Sequence, residues 1–261
     1  MFSENLKKLI DSSFENTNFG RILLLDRFEK LINQVGFSNK LSVAVIGGTK
    51  DEPEITLLKS MGFDLDVYTY GIEEYDDFYL DLNEENKDLL SQDFDLIICG
   101  QVLEHIWNSL HFSENICKLM NTETLTFIHC PKSNYHHGHT YYSAGYSKEF
   151  LKEIFTNRIE IINYGELGTP RLYTSIHLLK HWINTKEAMA GKISYDTWFS
   201  YLWNLKNSKP KIRNFSKKIL FQISFKRILI NILLQGLENI ENNDKLVKSE
   251  SYIFFKLAKK I

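Results

Sequence analysis

The chain has 261 residues, 43% hydrophobic and 25% charged, an ordinary globular composition long enough for one full core and an appendage. Its three cysteines, Cys99, Cys117 and Cys130, are odd in number and lack C-x-x-C spacing, which argues against disulfide or metal roles and for buried thiols in a reducing compartment. The formal charge of −2 hides two opposed regions: residues 204–261 carry thirteen Lys and Arg against four Asp and Glu, a net of +9, which leaves −11 for residues 1–203.

The first residues carry charge without an apolar stretch behind it, so no secretory signal is expected. No uninterrupted apolar span is long enough to cross a bilayer. Leu6, Leu9 and Ile10, then Leu24, Leu25, Phe28, Leu31, Ile32 and Val35, recur at helical spacing and predict helices over 2–10 and 20–36, with Gly36 as a stop. A β-branched run from Leu41 to Ile46 breaks into Gly47 and Gly48. Pro53 and the acids Asp51, Glu52 and Glu54 then open a helix that ends near Met61.

Strands are predicted near 65–70 and 77–81, a short helix near 84–90, and a strand over 94–99. A helix over 109–120 leads to an apolar strand over 124–130. Pro131 opens a loop dense in His, Tyr and Gly, and Ser147 caps a helix to Phe155. Stretches 158–163 and 171–179 read as a last, antiparallel pair of strands. This alternation means an α/β fold with a mostly parallel sheet and helices on both faces. From His181 onward the pattern becomes helical and basic, and 252–260 reads as a final helix mixing aromatics and lysines.

The most informative stretch runs from Phe94 to His105. Leu96, Ile97, Ile98 and Cys99 form a continuous apolar run, the pattern of a strand buried on both faces. Gln101, Glu104 and His105 follow at its carboxyl end, where open α/β sheets hold ligands. The two glycines after the first strand let a backbone approach a ligand closely, although a tight strand–helix turn explains them as well. They do not form the three-glycine fingerprint of dinucleotide sites, which argues against a nicotinamide-dependent oxidoreductase.

The order of these parts resembles the class I S-adenosylmethionine-dependent methyltransferases over residues 41–180, especially small-molecule O-methyltransferases related to quinone biosynthesis. The most specific piece is Phe94, Asp95, Leu96, Ile97 and Ile98, followed by Val102, Leu103, Glu104 and His105. Tyr146 to Leu151 matches the family's element after the fifth strand. The resemblance implies a Rossmann-like sheet with its last strand antiparallel. It also implies that Gly47, Gly48 and Thr49 line the methionine portion of the cofactor, that Asp81 and Leu82 bind adenine, and that Gln101 faces the amino-acid end. The chain departs from the family at Val45, where an acid is usual, at Thr49, where a glycine is usual, and at Gly71, where a carboxylate holds the ribose. Glu73 would substitute for that carboxylate if the turn is shifted.

A hydroxyl acceptor needs its proton removed, and imidazoles titrate near neutrality. His105 and the loop histidines His136, His137 and His139 are the candidates; a polar lid with histidines bound to backbone is the alternative. Glu104, His105 and His139 also resemble the divalent-metal site of some quinone and RNA-end O-methyltransferases, although Gln101 leaves that set one charge short. His129, inside a strand, reads as a satisfied core histidine.

The resulting expectation is an N-terminal helical lid (1–40), a cofactor domain (41–180) and a basic helical extension (181–261). The implied activity is O-methylation of a small or glycan-linked acceptor, a sugar hydroxyl or phosphoramidate of a bacterial surface polysaccharide. A catalytically inactive scaffold and a metal-dependent RNA- or quinone-type enzyme are the alternatives. A cytoplasmic location is expected. The basic stretch 211–234 reads as a capping or dimer face, or as a surface for an anionic membrane; nucleic acid is not expected.

Overall fold

The computed structural model describes residues 3–13, 19–89, 92–132, 142–143, 145–167 and 250–258. Two helices come first, α1 (Glu4–Ser13) and α2 (Phe19–Val35). Then follow β1 (Lys40–Ile46), α3 (Pro53–Ser60), β2 (Asp64–Gly71), β3 (Phe78–Tyr79) and β4 (Leu96–Gly100). A single 3-10 turn, Leu103–His105, leads to α4 (Ser109–Leu119) and β5 (Leu125–Pro131). The described chain ends with α5 (Lys148–Glu153), β6 (Ile159–Leu167) and β7 (Glu250–Leu257).

The seven strands form one sheet in the order β3-β2-β1-β4-β5-β7-β6. β1 pairs in parallel with β2 and β4, and β4 in parallel with β5. β7 alone runs backwards, pairing antiparallel with both β5 and β6. Central strands β1, β4 and β5 are buried on both faces, which is why their sequences read as unbroken apolar runs rather than alternating ones.

Each face carries its own core. On one, Leu24, Leu25, Phe28, Leu31 and Ile32 of α2 pack with α1 and α3 against Val43, Val45, Ile98, Phe127 and Phe254. On the other, Phe112, Ile116 and Leu119 of α4, with Leu151 and Phe155, cover Ile97, Cys99, Ile128, Ile253 and Phe255. Each fully buried Phe or Leu contributes about 1.5–3 kcal/mol by leaving water. The helix starts follow local chemistry. Pro53 occupies the first turn of α3, the Asn108 side chain accepts from the His111 amide, and the Ser147 hydroxyl accepts from the Phe150 amide.

Three expectations need correction. Residues 252–257, read as part of a final helix over 252–260, belong to strand β7 (Glu250–Leu257). Tyr252 and Phe254 face one core while Ile253 and Phe255 face the other, so 252–255 is apolar at every position, as a doubly buried stretch of strand requires. β6 pairs antiparallel with β7; the stretch 171–179, expected to be its partner, lies outside the described residues. Residues 84–89 form turns instead of a helix, with the Asn115 amide donating to the Glu84 carbonyl at 2.8 Å. The strand expected over 77–81 shortens to two residues. Segments 181–249 and 211–234 lie outside the described residues. Among those described, no helix is long and apolar enough to cross a membrane.

Candidate cofactor site

The carboxyl ends of β1, β2, β4 and β5 share one edge of the sheet, and the polar residues collect there. β1 leaves the sheet through Gly47, at φ 65°, whose amide donates to the Tyr70 carbonyl at 2.7 Å. A Cβ at Gly47 would lie 2.7 Å from Val102 Cγ2, so the glycine is demanded both by its backbone and by the loop after β4 pressing on it. The neighbouring turn is organised by Glu52, whose carboxylate lies 2.8 Å from where a Gly48 Cβ would stand and accepts weakly from the Thr49 amide at 3.4 Å.

β2 ends in Gly71, and the Asp76 carboxylate folds back directly over that Cα, occupying the space of a side chain. Asp76 Oδ2 accepts from the Glu73 amide at 3.0 Å, while its buried Oδ1 has no hydrogen-bonding partner among the described residues. A buried, unanswered carboxylate oxygen is costly and points to a missing donor. The next acid, Asp77, is already committed. It accepts from the Thr69 amide at 2.9 Å and pairs with Lys50, whose hydrogen bond and then that of Thr69 hold its carboxyl below the usual range.

After β3, Leu82 is buried and Asp81 Oδ1 accepts from the Asn83 amide at 2.8 Å. Asn83 Oδ1 in turn accepts from the amides of Trp107 at 2.9 Å and Asn108 at 3.3 Å, binding this loop to the one that follows the 3-10 turn. Glu104, in that turn, is fully buried, and its charge raises the pKa of Cys99 and Cys130, after the larger effect of their burial. Its carbonyl accepts from the Tyr142 amide at 2.9 Å and the Ser143 amide at 3.3 Å.

Beneath the same edge runs a buried polar chain. Arg21, on α2, donates to Glu52 and Glu54, each at 2.8 Å. Glu54 Oε1 lies 3.0 Å from His129 Nε2, and His129 Nδ1 lies 3.3 Å from Gln101 Nε2, which also donates to Glu250 Oε2 at 3.1 Å. An amide nitrogen can only donate, so His129 Nδ1 accepts and its Nε2 carries the proton donated to Glu54. Burial and then the Arg21 charge hold the His129 pKa below its usual value, so this contact is a hydrogen bond between neutral imidazole and carboxylate. Burial alone would raise Glu54, but Arg21 and the His129 hydrogen bond outweigh it and keep the carboxyl ionised well below the usual range. Glu250 has only weaker compensation, and burial pushes its pKa up to about 8.

No protein-family profile and no curated protein matches this sequence. Solved structures do match. A putative sarcosine dimethylglycine methyltransferase from Galdieria sulphuraria aligns with a TM-score of 0.54 at 10% identity, covering 100% of this chain and 93% of that one. A coclaurine N-methyltransferase, solved with N-methylheliamine and SAH, aligns with a TM-score of 0.50 at 12% identity over 98% of this chain and 79% of that one. The sheet order of this chain is 3-2-1-4-5-7-6 with β7 reversed. The chain has the class I methyltransferase fold.

Within that fold, Gly47, Gly48, Thr49, Glu73, Asp81, Leu82 and Gln101 all lie in the loops along the carboxyl edge. Glu73 is exposed, and the carboxylate set over the end of β2 is that of Asp76. Both amide hydrogens of Gln101 face His129 and Glu250. His105 is part-exposed in the 3-10 turn, while His136, His137 and His139 lie outside the described residues. Among the described residues no cluster of three His, Cys, Asp or Glu could hold a metal ion. Sequence reasoning missed Arg21, Glu52, Glu54, Asp76 and Glu250. Only Asp76 left a signal, a glycine at a strand end followed within six residues by four acids.

Proposed function

We propose that this chain transfers a methyl group from S-adenosylmethionine to a small-molecule acceptor. The observation that carries the reading is a class I methyltransferase sheet whose carboxyl edge holds a close-packed glycine turn and a buried carboxylate oxygen without a donor among the described residues. Those features fit the cofactor. Asp76 would accept from the ribose hydroxyls, and Asp81 and the Leu82 amide would meet the adenine edge. Arg21, 3.3 Å from the space of a Gly100 Cβ, and Glu52 would face the carboxylate and ammonium of the methionine portion.

Bound there, S-adenosylmethionine supplies an electrophilic methyl group on its sulfonium and leaves as S-adenosylhomocysteine. The chain's own work is alignment and proton removal. Gly47 and Gly48 keep the β1 turn thin enough for close approach, and Val102 walls it from the β4 side. His105 would take the acceptor's proton. The Tyr142 and Ser143 amides, three and four residues after His139 in sequence, donate to the carbonyl of Glu104, one residue from His105, which supports a shared role for His136, His137 and His139.

A sugar hydroxyl or phosphoramidate of a surface-glycan precursor is the finer acceptor class, and it rests on the sequence resemblance. Methyl-labelled cofactor incubated with sugar-phosphate, phosphoramidate and amine pools should label one class, with His105→Ala lowering the rate. Label retained wholly on the cofactor with every pool favours an inactive scaffold.

A further inference from the structure

Gln101 stands out at the cofactor edge because it is a non-glycine residue held at φ 59°. Side chains of this kind adopt that conformation rarely, and it persists only where the surroundings over-determine it. Three bonds do so here. The Gln101 amide donates to the His129 carbonyl at 2.9 Å, and its side-chain nitrogen faces His129 Nδ1 at 3.3 Å and Glu250 Oε2 at 3.1 Å. The residue that follows, Val102, is the one pressed against Gly47.

We propose that Glu250 and His129 are positioning residues for the methyl-donor site, fixing the left-handed turn at Gln101 so that Val102 seats against the Gly47 turn. This rests on the methyl-donor reading above. The first residue of the C-terminal strand thus shapes a site whose other parts lie almost entirely within the first 110 residues. β7 enters the sheet at the cofactor edge, with Glu250 opposite Pro131 and Leu167, so its side chain reaches the loop after β4 directly. His129 is fixed in turn by Glu54, which Arg21 holds. Burial keeps Glu250 protonated at neutral pH, with Arg21 and Glu104 as the charged groups acting on it, so glutamine is its close mimic.

The test is calorimetric affinity for S-adenosylhomocysteine, measured where circular dichroism shows each variant folded. Glu250→Ala should weaken binding about tenfold, and Glu250→Gln should restore most of it. In a Gln101→Gly background, where the turn is free of strain, Glu250→Ala should have no further effect. Should Glu250→Ala not fold, Gln101→Leu serves instead, since it keeps the bulk, loses both anchors and should bind more weakly than Gln101→Gly. Equal losses from Glu250→Ala in both backgrounds, or Gln101→Leu binding as well as Gln101→Gly, overturns the positioning role while leaving the methyl-donor reading intact. A wild-type chain that does not bind S-adenosylhomocysteine removes both.

Discussion

Gly47 shows how much a single position can carry. Its φ of 65° costs a side-chain-bearing residue roughly 1–2 kcal/mol, and the 2.7 Å approach to Val102 adds about 1–3 kcal/mol of overpacking. Gly47→Ala should therefore lower stability by about 2–5 kcal/mol in urea unfolding, while Gly62→Ala, strained at φ 95° but without a neighbour within 4 Å, should cost only the backbone share. Equal losses would remove the Val102 contact from the explanation. The tight turn at Gly47 was legible in the sequence, from a glycine pair that breaks a β-branched run. Four acids close behind Gly71 marked the region, but which of them lies over that glycine was not legible, because it depends on how the chain folds back, a matter of turn geometry that spacing does not encode. His129 was read correctly as a satisfied core histidine, but its partners come from residues 75 positions earlier and 28 positions earlier, beyond any local pattern.

The strands of the parallel core announced themselves through continuous apolar runs, and their order followed from the alternation with helices. β7 did not. Its Ile253, Phe254 and Phe255 are fully buried, yet the lysines that follow and the preceding basic segment suggested an amphipathic helix. A short apolar run cannot be assigned to strand or helix by period alone, and here the decisive fact is the gap between β5 and β6 that only a strand fills. Phe255 is the sharpest probe of that assignment, since its ring lies 4.7 Å from that of Phe155 and it belongs to the α4–α5 core. Phe255→Ala should cost about 3–5 kcal/mol. A loss under 1 kcal/mol is what a surface helix at 252–260 would give.

At the scale of the whole molecule, three buried groups among the described residues make stability depend on pH between about 4 and 8. Folded Glu250 keeps its proton to about pH 8 but releases it near 4.5 when unfolded, so its contribution to stability falls as pH rises between those values, by about 1.4 kcal/mol per unit. Folded His129 refuses a proton that the unfolded chain accepts near 6.5, so stability falls as pH drops below 6.5. Glu54 stabilises above 4.5, and that stabilisation is lost as pH falls below it. From these three groups stability should decline from about pH 6.5 towards pH 8, where Glu250 acts alone; His129 opposes Glu250 just below pH 6.5, and stability should fall again below pH 4.5 as the contribution of Glu54 is lost. Glu250→Gln should remove the alkaline decline. An unchanged alkaline limb in that variant would show that Glu250 ionises normally and is not buried as described.

The claim on which the functional reading depends is that the edge between Gly47 and Asp76 holds the nucleoside of a methyl donor. Titration calorimetry with S-adenosylhomocysteine tests it most directly, comparing the wild-type chain with Asp76→Ala. The expected result is one site per chain in the wild type, weakened roughly tenfold to a hundredfold when the charge-assisted bonds to the ribose are lost. Absence of binding by the folded wild type, or equal affinity in the two proteins, would contradict it.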